Sequence, residues 1–137
     1  MSPGREVVSH PLPWGVLRLG ICYDLRFPEL FRLGPTPDFI ALPAAFTHTT
    51  GLAHWALLLR ARAVENLAFV FASAQGGHHP GGRRTFGHSM IIDPWGRVLA
   101  QVEEGQGMVI ATLDLAAQRR VRSQLPALTH RKIAVGP

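Results

Sequence analysis

The chain's single cysteine, Cys22, lies in the stretch GICYDLRFPEL, directly after an apolar run and directly before a charged turn closed by Pro28. A thiolate that attacks a carbonyl needs a base to take its proton and donors to hold the oxyanion that forms. A strand that ends in the nucleophile and turns sharply into a helix would expose the sulfur at the edge of a sheet. The same turn would aim helix N–H groups at it, which lowers a thiol pKa and offers donors to an oxyanion. The competing expectation is a packed, inert thiol, because cysteine is among the most buried residue types. Taken alone, a solitary cysteine favours the second.

The other side chains able to do chemistry are few. Asp24, Arg26 and Glu29 form an acid–base–acid run around the turn, and as paired charges they would brace it. Thr47, Thr49 and Thr50 follow the end of an expected strand and could donate hydrogen bonds, although Thr50 also suits a helix cap before GLAHW. His54 and Trp55 are expected to pack. Of the seven histidines only His78 and His79 adjoin, and adjacent histidines without a carboxylate or second cysteine at ligand spacing do not close a metal site. No metal is expected, and a redox role for Cys22 lacks a resolving partner.

Composition limits the alternatives. At 137 residues the chain can hold one domain, and with 47% hydrophobic and 17% charged residues it should fold around a substantial core. One cysteine excludes an internal disulfide, no run approaches the roughly 20 apolar residues of a membrane span, and MSPGREVV lacks a signal-peptide pattern. The expected compartment is cytoplasmic, with no membrane partner. Fourteen Lys+Arg stand against nine Asp+Glu, yet the arginines are scattered. Only Arg83-Arg84 and Arg119-Arg120-x-Arg122 cluster, without aromatic stacking platforms, so solvated arginines are expected rather than a nucleic-acid surface.

The elements that must position these residues follow from periodicity and turn chemistry. Strands are expected at 16–22 and 38–43, with a short helix over 27–34 stopped by Gly34. A loop over 44–51 precedes a long helix over 52–67 that is capped by Asn66. After a strand at 68–74, the segment 75–87 reads as a loop. Strands at 88–93, 97–104 and 108–115 then form a meander, and a last helix covers 116–125. Helices between early strands followed by a meander imply an α+β or layered α/β sheet with helices on one face.

GICYDLRFPEL resembles the nucleophile segment of the carbon–nitrogen hydrolases, the nitrilase superfamily. LPAAFTHTTGLAHWALLLRARAVENLAFVFASAQGG and FGHSMIIDPWGRVLA continue the resemblance, from about Pro3 to Lys132, toward the branch of deaminated-glutathione amidases and omega-amidases. The linker FRLGPTPDF is shorter than the usual connection. The resemblance implies an α/β fold, the C-terminal half of a nitrilase-type α-β-β-α sandwich, with residues 1–137 as a single partial domain. It implies a cofactor-free amidase in which Cys22 is the nucleophile and the backbone N–H of Tyr23 an oxyanion donor. It further implies Arg26 as a ligand for the substrate's distal carboxylate, Phe46 as a pocket wall and Thr50 as a hydrogen-bond donor, with Asp24 and Glu29 structural at the site.

The family's glutamate base and oxyanion lysine both precede its cysteine. Here no lysine precedes Cys22; Lys132 is the only one, and Glu6 falls where the strand before the nucleophile strand belongs. The expectation is an inactive nucleophile-bearing half whose start resembles an internal methionine of a longer frame. A small amide would be its substrate once completed by an N-terminal half, and a homo-oligomer the form of the longer protein. The alternative is a non-catalytic interaction module or a basic nucleic-acid-binding fragment. The half alone should leave one apolar sheet face in water and a self-association surface including Leu30, Phe31 and part of the 52–66 helix.

Overall fold

The structure, a computed structural model, describes residues 4–133. Its centre is a six-stranded sheet whose strands, from one edge to the other, are Ser9–Leu12, Gly15–Leu19, Phe39–Ala44, Phe69–Ala74, Ser89–Ile92 and Val98–Val102. β1 (Ser9–Leu12) and β2 (Gly15–Leu19) form an antiparallel hairpin, and β3 (Phe39–Ala44) and β4 (Phe69–Ala74) run parallel to β2. β7 (Ser89–Ile92) and β8 (Val98–Val102) close the far edge in antiparallel register. Parallel neighbours need crossovers, and these cover one face of the sheet.

The first crossover is two 3-10 turns, Cys22–Arg26 and Pro28–Phe31. The second is α1 (His48–Thr50), a π-helical turn Gly51–Trp55 and α2 (Ala56–Asn66). Between helices and sheet lies the core, in which Leu25, Phe31, Ile40, Trp55, Leu59 and Val70 are fully buried. α3 (Leu115–Gln124) and α4 (Ala127–His130) complete the described chain. α3 docks through Gln118, whose amide donates to Asp38 O and Leu67 O, and Arg122, which binds Asp38 Oδ1 at 2.6 Å and Pro37 O at 2.7 Å. Part of the basic C-terminal cluster is thus spent on packing. Asp114 caps α3, and the Ala117 N–H holds its carboxyl below the usual carboxylate range.

Several elements depart from the sequence expectation. The 27–34 helix is only a 3-10 turn, because the fully buried Arg18 of β2 takes the Leu30, Leu33 and Pro35 carbonyls at 2.5, 2.6 and 2.8 Å. An α-helix would have used the first of these internally. Burial lowers the pKa of that guanidinium. The second helix starts at His48, earlier than expected, and Asn66 is not its cap: it lies inside the helix, and Leu67 takes the left-handed cap with φ +46° as its side chain enters the core. The 75–87 segment contains a hairpin of β5 (Gly76–His78) and β6 (Arg84–Phe86).

Residues 108–114 form no strand. They cross the open sheet face, where Met108 borders the same hollow as Phe71 and Met90, and Leu113 and Leu115 line one groove with Phe39 and Phe71. That face carries an apolar groove of about 330 Å³ whose wall includes Trp14, Leu17 and Phe71, with Trp14 68% exposed. Phe31, expected on a surface, is fully buried against the sheet; Leu52, Leu57 and Val64 are exposed along the 52–66 helix.

Candidate active site

The end of β2 builds the site. Gly20 N–H still donates to Ala41 O at 3.1 Å, but at Cys22 the chain turns with φ +48°, in the left-handed region that residues with a side chain seldom enter. Such strain persists only where surrounding contacts over-determine it. Asp24 supplies one set: its carboxylate accepts the Ile21 N–H at 2.8 Å while its own N–H donates to Ile21 O at 3.0 Å. Arg62 of α2 supplies another. Its buried guanidinium donates from Nε and Nη2 to Leu25 O at 3.1 and 2.7 Å, pairs with Glu65 at 2.7 Å and lies over the Phe31 ring. The turn carrying the thiol is thereby clamped to the helical layer.

Cys22 is half-buried and opens onto a cleft of about 500 Å³. Ile21, Ala44, Ala45, Ser73, Gln75 and Ser89 share its lining, which places it beyond the carboxyl ends of the parallel strands β3 and β4. Open α/β sheets bind ligands in that position. Ser89 ties β7 to the cleft, accepting from Ala74 N at 2.9 Å and donating to Ala74 O at 3.3 Å. Sequence reasoning missed Ser73, Gln75 and Ser89; their signal is a small or polar residue at the end of one apolar strand run, for Ser73 and Gln75, or the start of the next, for Ser89.

None of the remaining candidates, Tyr23, Asp24, Arg26, Glu29, Phe46 and Thr50, is part of this lining. Tyr23 is the second residue of the 3-10 turn, where a backbone N–H has no acceptor within the turn, and its ring is largely exposed beside Phe27. The Arg26 guanidinium stands over Phe46 at 5.2 Å and Tyr23 at 5.8 Å, with Nη1 3.3 Å from His54 Nδ1. Phe46 is buried against Trp55 and does not line the cleft. Thr50 Oγ1 is engaged with Thr47 Oγ1 at 2.8 Å in the first helical turn, also outside the lining. Asp24 braces the turn through backbone N–H and Glu29 is exposed; among the described residues neither pairs with an arginine.

His79 is held by Thr85 Oγ1 at 2.7 Å, and no group of three or more His, Cys, Asp or Glu among the described residues is placed to hold a metal ion. No helix among them is long and apolar enough to cross a membrane.

Comparison with known proteins joins this geometry to a family. The family described as carbon–nitrogen hydrolase matches residues 1–123. A deaminated glutathione amidase of Synechocystis is 49% identical over 126 residues, which cover 90% of this chain and 46% of that protein. The Saccharomyces cerevisiae Nit3 structure, from branch 10 of the nitrilase superfamily, superposes with a TM-score of 0.89 at 33% identity, covering 97% of this chain and 50% of that one. A mutant amidase from Nesterenkonia, solved with the acetamide moiety of fluoroacetamide covalently added to its active-site cysteine, superposes with a TM-score of 0.77 at 26% identity, covering 96% and 47%. The chain therefore spans about half the length of the proteins it matches. With the family matched over residues 1–123 and its fold shared with these proteins over nearly its whole length, the chain belongs to the carbon–nitrogen hydrolase family.

Proposed function

We propose that the chain is the nucleophile-bearing half of an amidase acting on a small carboxylate-bearing amide through a thioester at Cys22. The observation that carries this is the left-handed elbow that presents the only thiol to a cleft at the carboxyl ends of two parallel strands. The sulfur attacks the amide carbon, and the carbonyl electron pair moves to oxygen, which the Tyr23 N–H receives. Collapse expels the amine with a proton to form the thioester, and water then releases the acid and restores the thiol. The covalent adduct of the Nesterenkonia amidase at its own cysteine supports the first step.

Arg26 and Thr50 are proposed as substrate contacts. Arg26 would exchange its His54 contact for the substrate carboxylate, with Phe46 as the wall behind. The base and the oxyanion lysine are expected from a segment outside these residues, because no lysine precedes Cys22. Groups of one catalytic unit act together, so the loss of two costs several orders of magnitude in rate. The completed protein is proposed to pair through Leu30 and the exposed Leu52, Leu57 and Val64.

Incubation of the purified chain with an omega-amide and with deaminated glutathione tests the reading. No release of ammonia above background is expected from the chain alone, and activity is expected from a longer protein that supplies an upstream glutamate and lysine. Turnover by the isolated chain that Cys22→Ala abolishes would overturn the inactive-half assignment. Full activity of Cys22→Ala in the longer protein would overturn the nucleophile.

A further inference from the structure

The β5–β6 hairpin is not a free loop beside the cleft. Phe86 N–H donates to Phe46 O at 3.0 Å, Thr85 bridges Thr47, and Gly87 N–H donates to Gln75 O at 3.2 Å, which seats the hairpin along the loop that carries Ala44 and Ala45. Its cations are then disposed differently. Arg84 pairs with Glu104 at 3.0 Å and His79 with Thr85, whereas Arg83 donates from Nη2 to Ala45 O at 3.0 Å. Ala45 is itself a lining residue.

Two facts give that placement a use. Cys22 is the only titratable side chain in the lining, so an anionic ligand finds no cation on the cleft walls. Arg83 has no carboxylate partner among the described residues, and a guanidinium with five donors that places one on a carbonyl keeps others for a planar anion. We infer that Arg83 binds a carboxylate of the substrate at the rim of the Cys22 cleft. This contact is separate from the one proposed for Arg26, and it rests on the amidase reading of that cleft.

The test uses the sole thiol as a reporter. Iodoacetate and iodoacetamide both alkylate Cys22 by the same displacement of iodide, and only the first is charged. Both rates are measured for the chain, Arg83→Gln, Arg83→Lys and Arg84→Gln. One unit charge acting over a largely aqueous path of about 10 Å should raise the iodoacetate-to-iodoacetamide rate ratio about twofold at low salt. Arg83→Gln should therefore lower the ratio by that factor and Arg83→Lys should largely retain it. Arg84→Gln should leave it unchanged, and the effect should shrink as salt is added. If Arg83 merely ties down Ala45, both rates move together, and an unchanged ratio in Arg83→Gln overturns the inference. The nucleophile reading is judged separately, by whether the native thiol reacts faster than the same thiol in urea; a slow thiol still yields the ratio.

Discussion

Arg62→Met removes the clamp on the elbow while keeping a side chain of similar reach. Its guanidinium is 6% exposed and makes two donations to Leu25 O and one ion pair to Glu65. The substitution leaves the Leu25 carbonyl buried without a donor, which costs about 1–3 kcal/mol, and removes hydrogen bonds with a charged donor. Breaking a fully buried ion pair costs about 3–5 kcal/mol because the abandoned charge stays buried. Glu65 is 29% exposed and can turn to water, so the lower end applies. The expected loss is about 3 kcal/mol, a fall in Tm on the order of 10 °C for a domain of this size. Urea unfolding at high dilution reads it through Trp55, which is fully buried with its Nε1 bonded to His88 O at 2.8 Å. Arg62→Lys should fall between, since an ammonium cannot reproduce the two-nitrogen fork on Leu25 O. A loss under about 1 kcal/mol, the size of a surface ion pair, would refute the clamp, as would an equal loss in Glu65→Gln.

Asp24→Ala should cost about 1 kcal/mol by orphaning the Ile21 N–H, and Asp24→Asn only a fraction of that, read as a shift in the urea midpoint. Gly51→Ala should cost about 1–3 kcal/mol in the same assay, because an added Cβ would collide with the Phe86 side chain in a packed contact. Asp114 has a folded pKa below its ordinary 3.8, so its capping contribution is complete above that value and fades as pH drops through the lowered one. Circular dichroism should then show the Asp114-dependent part of the helicity, defined against Asp114→Ala, lost only at still lower pH. Sedimentation of the isolated chain should show open-ended association through the apolar sheet face, reduced by Trp14→Ser with Phe71→Asp; a monodisperse monomer of the unaltered chain would contradict it.

The elements legible from the residues alone are those whose signal is local. The apolar run into Cys22, the Ala/Leu-rich helix and the PWG turn are each encoded by residues within a few positions of one another, and the motifs that carry the family resemblance lie along those same stretches. What those elements do to each other emerges only when they pack. Arg18 reads as one more strand residue until its guanidinium is seen gathering the carbonyls that would have continued a helix. The alternating segment near 108–114 looks like a strand, yet it crosses a sheet face rather than pairing at an edge. Ser73, Gln75 and Ser89 become neighbours of Cys22 because parallel β3 and β4 end together and β7 pairs back onto β4. The clamp from Arg62 to Leu25 spans 37 positions, and the tie from Gln118 to Asp38 spans 80. Periodicity reports which face of an element is apolar, but it holds no information about which distant carbonyl a buried arginine will meet; that choice is made when the faces pack.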